Sequence, residues 1–258
     1  TRRSSDLPKG ITLTKDGVEF LSYARQVVEQ TNLLEERYKS HTETRELFSV
    51  SSQHYAFVVN AFVSLLKRAD MTRYELFLRE TRTYEIIEDV KNFRSEIGVL
   101  FLNGYNRDVL TKMFDDNRLT YTSLFKARPH IFVSKSNPLA KHKVVSLEDL
   151  EDFPYLSYDQ GIHNSFYYSE EILSQIPHKK SIVVSDRATL FNLLIGLDGY
   201  TIATGILNSN LNGDNIVSIP LDIDDEIDIV YLKHEKATLS KMGEKFLDNL
   251  VKEVTFDN

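Results

Sequence analysis

Apolar and polar residues follow two periods along this chain, one typical of strands and one of amphipathic helices. From residue 46 onward, short runs rich in Val, Ile, Leu and Phe are each followed by a segment whose apolar residues recur every three or four positions. The first pattern is typical of a buried strand, and the second of a helix that covers it. The chain is therefore predicted to contain repeated strand–helix units, which build a largely parallel sheet covered by helices.

Two groups of these units are expected. Predicted strands cover 46–51, 74–80, 96–102, 119–135, 154–158, 180–185, 200–206, 215–221 and 226–234. Predicted helices cover 54–70, 83–93, 107–116, 146–153, 164–176, 186–197 and 239–254. We interpret the groups as two α/β subdomains joined by crossover strands, the first at about 45–127 and 222–258 and the second at about 128–221. Ligands of such sheets bind at the carboxyl ends of the strands, so a cleft between the subdomains is the expected site.

The first forty residues carry a different pattern. Thr14 is a predicted N-cap with the acidic Asp16 in the first turn, and an apolar stripe follows at spacings of three and four. The stripe consists of Val18, Leu21, Ala24, Val27, Val28, Thr31 and Leu34. Because the stripe is narrow, residues 14–40 are predicted to form one long helix that pairs as in a coiled coil. The alternative is a helix that packs on its own domain.

Composition and charge narrow the class of protein. The chain has 258 residues, 41% of them hydrophobic, which is enough for one large or two small domains with a real core. It contains no cysteine, so disulfides and thiolate chemistry are excluded. A net charge of -7 argues against nucleic-acid binding over most of the surface. No apolar run is long enough to span a membrane and no export signal is present, so a cytoplasmic protein is expected.

Motifs that would indicate catalysis are absent from the sequence. It contains neither a GxxxxGK[ST] phosphate loop nor a GxGxxG dinucleotide turn, and it has no GxSxG or HExxH motif. No catalytic residue, metal site or cofactor is therefore predicted. The sequence favours binding over catalysis.

The corner at residues 51–54 is the best candidate for a binding site. Ser51, Ser52 and Gln53 lie where a predicted strand passes into a predicted helix, and the first N–H groups of a helix stabilise an anion. A serine that only caps the helix is the alternative. Hydroxyl residues recur at other strand ends, at Thr83, Ser185 and Thr204, which favours a shared polar cleft.

Three stretches resemble the LysR-type transcriptional regulators. Residues 11–30 are similar to the end of that family's winged DNA-binding domain and its linker helix, and residues 130–158 to the entry into its second effector subdomain. Residues 190–205 resemble the family's V..G.Gia.lP segment. Two positions depart from the family pattern, since Asn137 replaces a usual histidine and Thr204 a frequent proline. The second departure puts the ligand preference in doubt, because that position is expected to touch the effector.

The resemblance implies two Rossmann-like subdomains of the type 2 periplasmic-binding-protein kind. Residues 1–13 would be the end of the wing, 14–40 the linker (dimerisation) helix and 45–258 the effector-binding domain, with no helix-turn-helix in this sequence. Full-length regulators of this family bind DNA as homodimers or homotetramers. This chain is expected to bind DNA only weakly, through phosphate contacts of Arg2, Arg3 and Lys9.

The resemblance also implies a small effector in the cleft. The predicted effector-binding residues are Ser51, Ser52, Gln53, His54, Thr83, Asn103, Ser134, Gln160, Gly161, Ser185, Thr204 and Gly205. The corner at 50–62 further resembles the subgroup from Gram-positive bacteria that controls methionine and cysteine metabolism, which implies an amino-acid-like, carboxylate-bearing effector. A solute-binding protein for a small anion or amino acid, and an enzyme on the same scaffold, are the alternatives.

Overall fold

The computed structural model describes residues 14, 16–17, 20–21, 23–25, 27–28, 31, 34, 46–68, 73–207 and 213–255, with side chains as far as 253. The chain divides into two compact units, Thr1–Arg45 and Glu46–Asn258. In the first unit, the described residues from 16 to 34 are helical. The N–H of Gly17 donates to Oγ1 of Thr14 at 3.1 Å, so Thr14 is the N-cap that the sequence predicted.

The second unit alternates strands and helices over most of its described length. In chain order the elements are β1 (Glu46–Ser52), α1 (Ala56–Arg68), β2 (Tyr74–Glu80), α2 (Thr83–Lys91), β3 (Ile97–Leu102), α3 (Arg107–Asp116), β4 (Leu119–Ala127), β5 (His130–Ser134), β6 (Tyr155–Tyr158), β7 (Ser181–Val184), α4 (Arg187–Leu197), β8 (Tyr200–Ala203), β9 (Ile216–Pro220), β10 (Ile227–His234) and α5 (Lys241–Thr255). Short 3₁₀ turns lie at Pro138–Lys141, Glu148–Leu150 and Phe166–Tyr168. Among these described residues, no helix is both long and apolar enough to cross a membrane.

Two five-stranded sheets form the frame. The first has the order β2-β1-β3-β10-β4, and the second has the order β7-β6-β8-β5-β9. In the first sheet β1 pairs in parallel with β2 and β3, whereas β10 is antiparallel to both of its neighbours. In the second sheet β6 is parallel to β7 and β8, and β5 is antiparallel to β8 and β9. The two sheets and their two crossings, β4 to β5 and β9 to β10, confirm the predicted fold class. The sheets are mixed rather than largely parallel as predicted, because β10 and β5 are antiparallel to their neighbours.

A continuous apolar core joins the two sheets. All six residues of β3 are buried, as expected for a central strand that is covered on both faces. The largest cluster of buried side chains includes Val50 and Phe246 beside the first sheet, and Ile131 and Ile219 in the second. The core fixes the sheets beside each other, so the carboxyl ends of β1 and β6 open toward a common space.

Most predicted elements are confirmed, one predicted helix is shortened to a 3₁₀ turn, and another is wrong. The helix predicted at 107–116 is α3, with the same bounds, and the helix predicted at 146–153 is reduced to a 3₁₀ turn. Residues 164–176, predicted as a helix, contain only the 3₁₀ turn Phe166–Tyr168. Leu173 has a φ of 60°, which an α-helix cannot accommodate, so the helical pattern is interrupted there.

Candidate functional site

A cleft of about 630 Å³, a volume that includes its open mouth, lies between the two sheets. One wall comes from the residues that start α1 and from β3, and the other from β6, α4 and β8. Aromatic and aliphatic side chains make up most of both walls. The polar and charged lining residues are His54, Tyr55, Tyr158, Glu170, Glu171, Arg187, Thr201 and Thr204.

Ser51 is part of the support behind this cleft. Its hydroxyl donates to Oδ2 of Asp89 at 2.6 Å and, with its one hydrogen used there, accepts from the hydroxyl of Ser95 at 2.8 Å. Ser51 itself is 0% exposed. Arg94 pairs with the other oxygen of Asp89 at 2.7 Å, so this buried carboxylate is neutralised within the protein. The arrangement fixes the end of β1 against α2.

Gln53 is also bonded within the protein, through both atoms of its side-chain amide. Its nitrogen donates to Oγ1 of Thr83 at 2.6 Å, and its oxygen accepts from the hydroxyl of Tyr55 at 2.6 Å and from the N–H of Phe101 at 3.0 Å. The two oxygen contacts fix the orientation of the amide, because an N–H of Phe101 can only donate. Gln53 and Thr83 therefore join β1, β3 and α2.

Ser52 differs from its neighbours. It is 0% exposed, and among the described residues its hydroxyl has no hydrogen-bond partner. An unpaired buried hydroxyl costs free energy, about 1–3 kcal/mol in mutational data, unless a ligand or water satisfies it. Ser52 is thus the residue of this corner with an unpaired hydroxyl, although it is not among the residues that line the cleft.

His54 connects the two sheets. Its backbone N–H donates to Oε2 of Glu170 at 3.0 Å, and its Nδ1 lies 2.8 Å from the same oxygen. Its ring stacks on that of Tyr158, with centroids 4.0 Å apart and an interplanar angle of 8°. Burial lowers the pKa of His54, but the hydrogen bond and the charge of Glu170 outweigh it, so the pKa is raised overall.

Gln160 holds the other oxygen of Glu170. Its side-chain nitrogen donates to Oε1 of Glu170 at 3.1 Å, while its side-chain oxygen accepts from the N–H of Thr83 at 3.2 Å. The carboxylate of Glu170 therefore has three donors around it, two from His54 and one from Gln160. All three are in the range of ordinary hydrogen bonds.

Glu171 is a second acidic residue on the cleft wall. Its Oε1 accepts from the N–H of Tyr158 at 2.9 Å, and its Oε2 is buried without a partner among the described residues. Burial raises the pKa of Glu171 well above its usual range, and the neighbouring charge of Glu170 raises it further. Burial thus favours the neutral form of this carboxyl group, and one of its oxygens has no partner among the described residues.

Two ion pairs cross between the subdomains beside the cleft. Nε of Arg187, the first residue of α4, lies 3.1 Å from Oε1 of Glu80, the last residue of β2. Arg82 pairs with Asp159 at 2.5 Å, but both side chains are more than a third exposed, so solvent screens that pair strongly. Both pairs connect the end of the first sheet to the second subdomain, and the less exposed pair of Arg187 and Glu80 is the less screened.

Of the predicted effector-binding residues, His54 and Thr204 line the cleft. Ser51, Ser52, Gln53, Thr83 and Gln160 are buried around the same corner. Among the other predicted positions, Asn103 hydrogen-bonds to Asp225 and Ser134 to Ser136. Ser185 is exposed, and Gly161 and Gly205 have a positive φ. For all of them a role in effector binding stays a prediction. Arg2, Arg3 and Lys9, the predicted phosphate contacts, lie outside the described residues.

Sequence reasoning missed six of the eight polar or charged lining residues. Those not predicted to belong to the site are Tyr55, Tyr158, Glu170, Glu171, Arg187 and Thr201. The acidic pair lies in the segment that was predicted as a helix, where charged residues are ordinarily solvated. Arg187 lies two residues after Ser185, which was predicted as a site residue at the end of a strand, so the sequence already pointed to this part of the chain. Among the described residues, no group of His, Asp and Glu side chains could hold a metal ion.

Comparison with known proteins identifies similar domains. The family model described as LysR substrate binding domain matches residues 51–255. No curated protein sequence matches the chain at a significant level. A cysteine mutant of OxyR from Corynebacterium glutamicum has 13% sequence identity and a TM-score of 0.60, with 95% of this chain and 76% of that chain covered.

Two other solved structures are similar in the same way. A mutant of full-length BenM has 17% identity and a TM-score of 0.57, and the match covers 99% of this chain and 82% of that chain. The effector binding domain of QuiR in complex with shikimate has 16% identity and a TM-score of 0.53, with 81% of this chain and 97% of that chain covered. At such identities these likenesses show the fold.

Proposed function

The chain belongs to the LysR family of transcriptional regulators, and we propose that its larger unit senses a small metabolite in the cleft between the two sheets. Binding there would change how the two sheets are held together. In a regulator that binds DNA as an oligomer, such a change alters the geometry of the assembly, and hence its action on a promoter.

The unsatisfied oxygen of Glu171 carries this proposal. Glu171 lines the cleft, its Oε2 is buried, and no described residue hydrogen-bonds to that oxygen. A folded protein seldom leaves such a group unpaired, because the loss of hydration is not compensated. A ligand with a hydrogen-bonding group at this point would satisfy it, and the aromatic side chains of Phe101, Phe132 and Tyr158 would cover the ligand's apolar part.

We propose a carboxylate-bearing, amino-acid-like effector. Arg187 supplies positive charge on the cleft wall, His54 supplies N–H donors, and Thr201 and Thr204 supply hydroxyl groups. A carboxylate matches these donors, and an amino or hydroxyl group matches Glu171. The similar QuiR domain is in complex with shikimate, also a small carboxylate, which supports the same class for this chain. A link to sulfur amino-acid metabolism is part of the proposal.

We further propose that the protein acts without catalysis and as a homo-oligomer. The family consists of transcriptional regulators, and no catalytic motif occurs in the sequence. The complete regulator would contact DNA, while the unit at Glu46–Asn258 would supply ligand sensing.

The test is a thermal-shift and calorimetry panel of small carboxylates. It would include α-amino acids, O-acetylated serine and homoserine derivatives, and shikimate, each paired with its amide or methyl ester. A ligand at a hundred times its Kd stabilises the fold by about 2.7 kcal/mol, so a true effector raises Tm and its ester does not.

Matched variants locate the binding. Thr204→Val removes a hydroxyl from the cleft wall, whereas Thr122→Val makes the same change at an exposed position of β4. We expect only the first to weaken binding. If every carboxylate fails to bind, or if Thr204→Val leaves the affinity of a bound compound unchanged, the proposed site is wrong.

A further inference from the structure

The donors around Glu170 form a complete binding site for a carboxylate. His54 offers its backbone N–H and Nδ1, and Gln160 offers its side-chain nitrogen, at distances of 3.0, 2.8 and 3.1 Å. The N–H of His54 lies just ahead of α1, where the helix dipole adds partial positive charge. The sequence predicted that a ligand anion binds at this corner. In the structure, the carboxylate of Glu170 lies there instead.

The donors are held in position by contacts that do not involve Glu170. The side-chain oxygen of Gln160 accepts from the N–H of Thr83, which leaves its nitrogen facing the carboxylate. The ring of His54 is stacked on Tyr158. Because both side chains are oriented independently, the site would keep its shape if Glu170 left it.

Glu170 itself comes from a segment with little regular structure. Residues 159–171, which we call the strap, contain only the 3₁₀ turn Phe166–Tyr168. The strap runs from the second sheet onto α2 and the turn before α3. The ring of His163 stacks on Tyr84 of α2 at 3.5 Å, and that of Tyr167 on Tyr105 at 4.8 Å. Glu170 can therefore leave its donors without unwinding a helix or breaking a strand.

We infer that His54 and Gln160 form a carboxylate-recognition site that Glu170 fills in the absence of ligand, and that the effector's carboxylate takes its place. This inference rests on the proposed function only for the identity of the competing ligand. Displacement frees Glu170 and releases one end of the strap from the first sheet. The strap thereby links occupancy of the cleft to the contact between the subdomains.

The site is tested by removing the internal anion and supplying a small one. Glu170→Ala in the full chain leaves the three donors without a partner. Sodium acetate or formate should then raise Tm and give a heat of binding, compared with sodium chloride at equal ionic strength. At the concentrations that saturate Glu170→Ala, the wild type and Glu170→Gln should not respond, because acetate must first displace the side chain that fills the site. Neutral acetamide should have no effect on Glu170→Ala. Glu170→Ala combined with His54→Phe should lose the response.

A measurement on the wild type covers the case in which Glu170→Ala does not fold. Chymotrypsin should cut the strap at Tyr167 or Tyr168 faster as acetate is raised to high concentration, and acetamide should leave the rate unchanged. If folded Glu170→Ala responds to acetate no more than to acetamide, or if acetate does not change cleavage of the wild type when that variant is unfolded, the inference is overturned.

The outcomes separate this inference from the proposed function. A carboxylate from the panel that binds the wild type should bind Glu170→Ala on the order of tenfold more tightly, because the variant has no competing state to displace. If a panel compound binds but acetate never occupies the variant, the sensing function stands and the Glu170 exchange is wrong. If acetate occupies the variant but no panel compound binds the wild type, the recognition site stands and the proposed effector class is wrong.

Discussion

The hydroxyl of Ser51 donates to the carboxylate of Asp89 at 2.6 Å, although the two residues are 38 positions apart and neither is open to solvent. The contact ties the end of β1 to α2, the helix after the neighbouring strand. Ser52, the next residue, has no such partner among the described residues. Of two adjacent serines at one strand end, one therefore has a paired hydroxyl and the other does not. Substituting each in turn distinguishes their effects on stability and on ligand affinity.

Ser51→Ala is expected to destabilise the fold. The variant leaves a buried carboxylate with one donor fewer, a loss of about 1.5–3 kcal/mol for a hydrogen bond to a charged group. In a domain of this size that lowers Tm by roughly 2–4 °C per kcal/mol. Ligand affinity should be unchanged, because the hydroxyl does not face the cleft. Thermal unfolding and calorimetry of the same preparation check both statements.

Ser52→Ala should give the opposite result. No hydrogen bond within the protein is lost, so the free energy of unfolding should change by less than about 0.5 kcal/mol. If Ser52 donates to the carboxylate of an effector, affinity falls by about 1.5–3 kcal/mol, which is roughly ten- to hundredfold. A large drop in Tm with unaltered affinity would show that Ser52 serves the fold rather than the ligand.

Gly161→Ala tests the start of the strap. Gly161 has a φ of +62°, and a Cβ there would lie 2.7 Å from Nη1 of Arg82. The substitution should cost about 1 kcal/mol or more and should weaken the pair between Arg82 and Asp159. Gly196→Ala is the matched control, since Gly196 lies in α4 and a Cβ added there would have no other atom within 4 Å, so the methyl group should stabilise the helix. Equal effects in urea unfolding would contradict this account.

The fold was predictable because its signals are local. The period of apolar residues identified α3 with the correct bounds, and a continuous apolar run identified β3. The pattern failed at 164–176, where Ile172, Leu173 and Ile176 have helical spacing. In that segment Glu170 and Glu171 turn into the cleft, and contacts with the first sheet outweigh the preference for a helix.

The site was predictable only in outline. Small polar residues at strand ends located the corner, because the carboxyl ends of parallel strands meet at one edge of a sheet. The partners at that corner could not be read from the chain. His54 and Glu170 are 116 positions apart, and nothing in either local sequence indicates the other. The expected external anion therefore could not be distinguished from an internal one.

Association through the first unit is a further prediction. The described helix exposes more than half of the side chains of Phe20, Tyr23, Val27, Val28 and Leu34. Apolar side chains so exposed are expected to pack against a second copy of the helix. Sedimentation at micromolar concentrations should show a dimer or tetramer, and Val28→Glu with Leu34→Glu should shift it toward monomer. Thr122→Glu, which adds a charge to the exposed face of β4, should leave the oligomeric state unchanged. A wild type that sediments only as monomer would contradict the prediction.

The pH dependence of stability should report on Glu171. Besides burial, the charge of Glu170 acts on its carboxyl, and the other titratable groups within range of the Glu171 charge are Tyr55, Tyr155 and Tyr158. Its pKa is higher in the folded protein than in the unfolded chain, so its contribution to stability is fully present below the unfolded value of about 4.5. That contribution is lost as pH rises from there through the folded pKa.

Glu171→Gln isolates this contribution, because glutamine has nearly the same shape and does not titrate. Compared with the variant, the wild type should lose stability by at most about 1.4 kcal/mol per pH unit above pH 4.5, until its folded pKa is passed. His54, whose pKa is also raised, contributes in the same direction to both proteins and cancels in the comparison. Urea unfolding of the two proteins between pH 5 and 8 measures the difference. A difference that does not change with pH would mean that Glu171 is ionised in the folded state, and hence that a buried cationic partner or water satisfies its second oxygen.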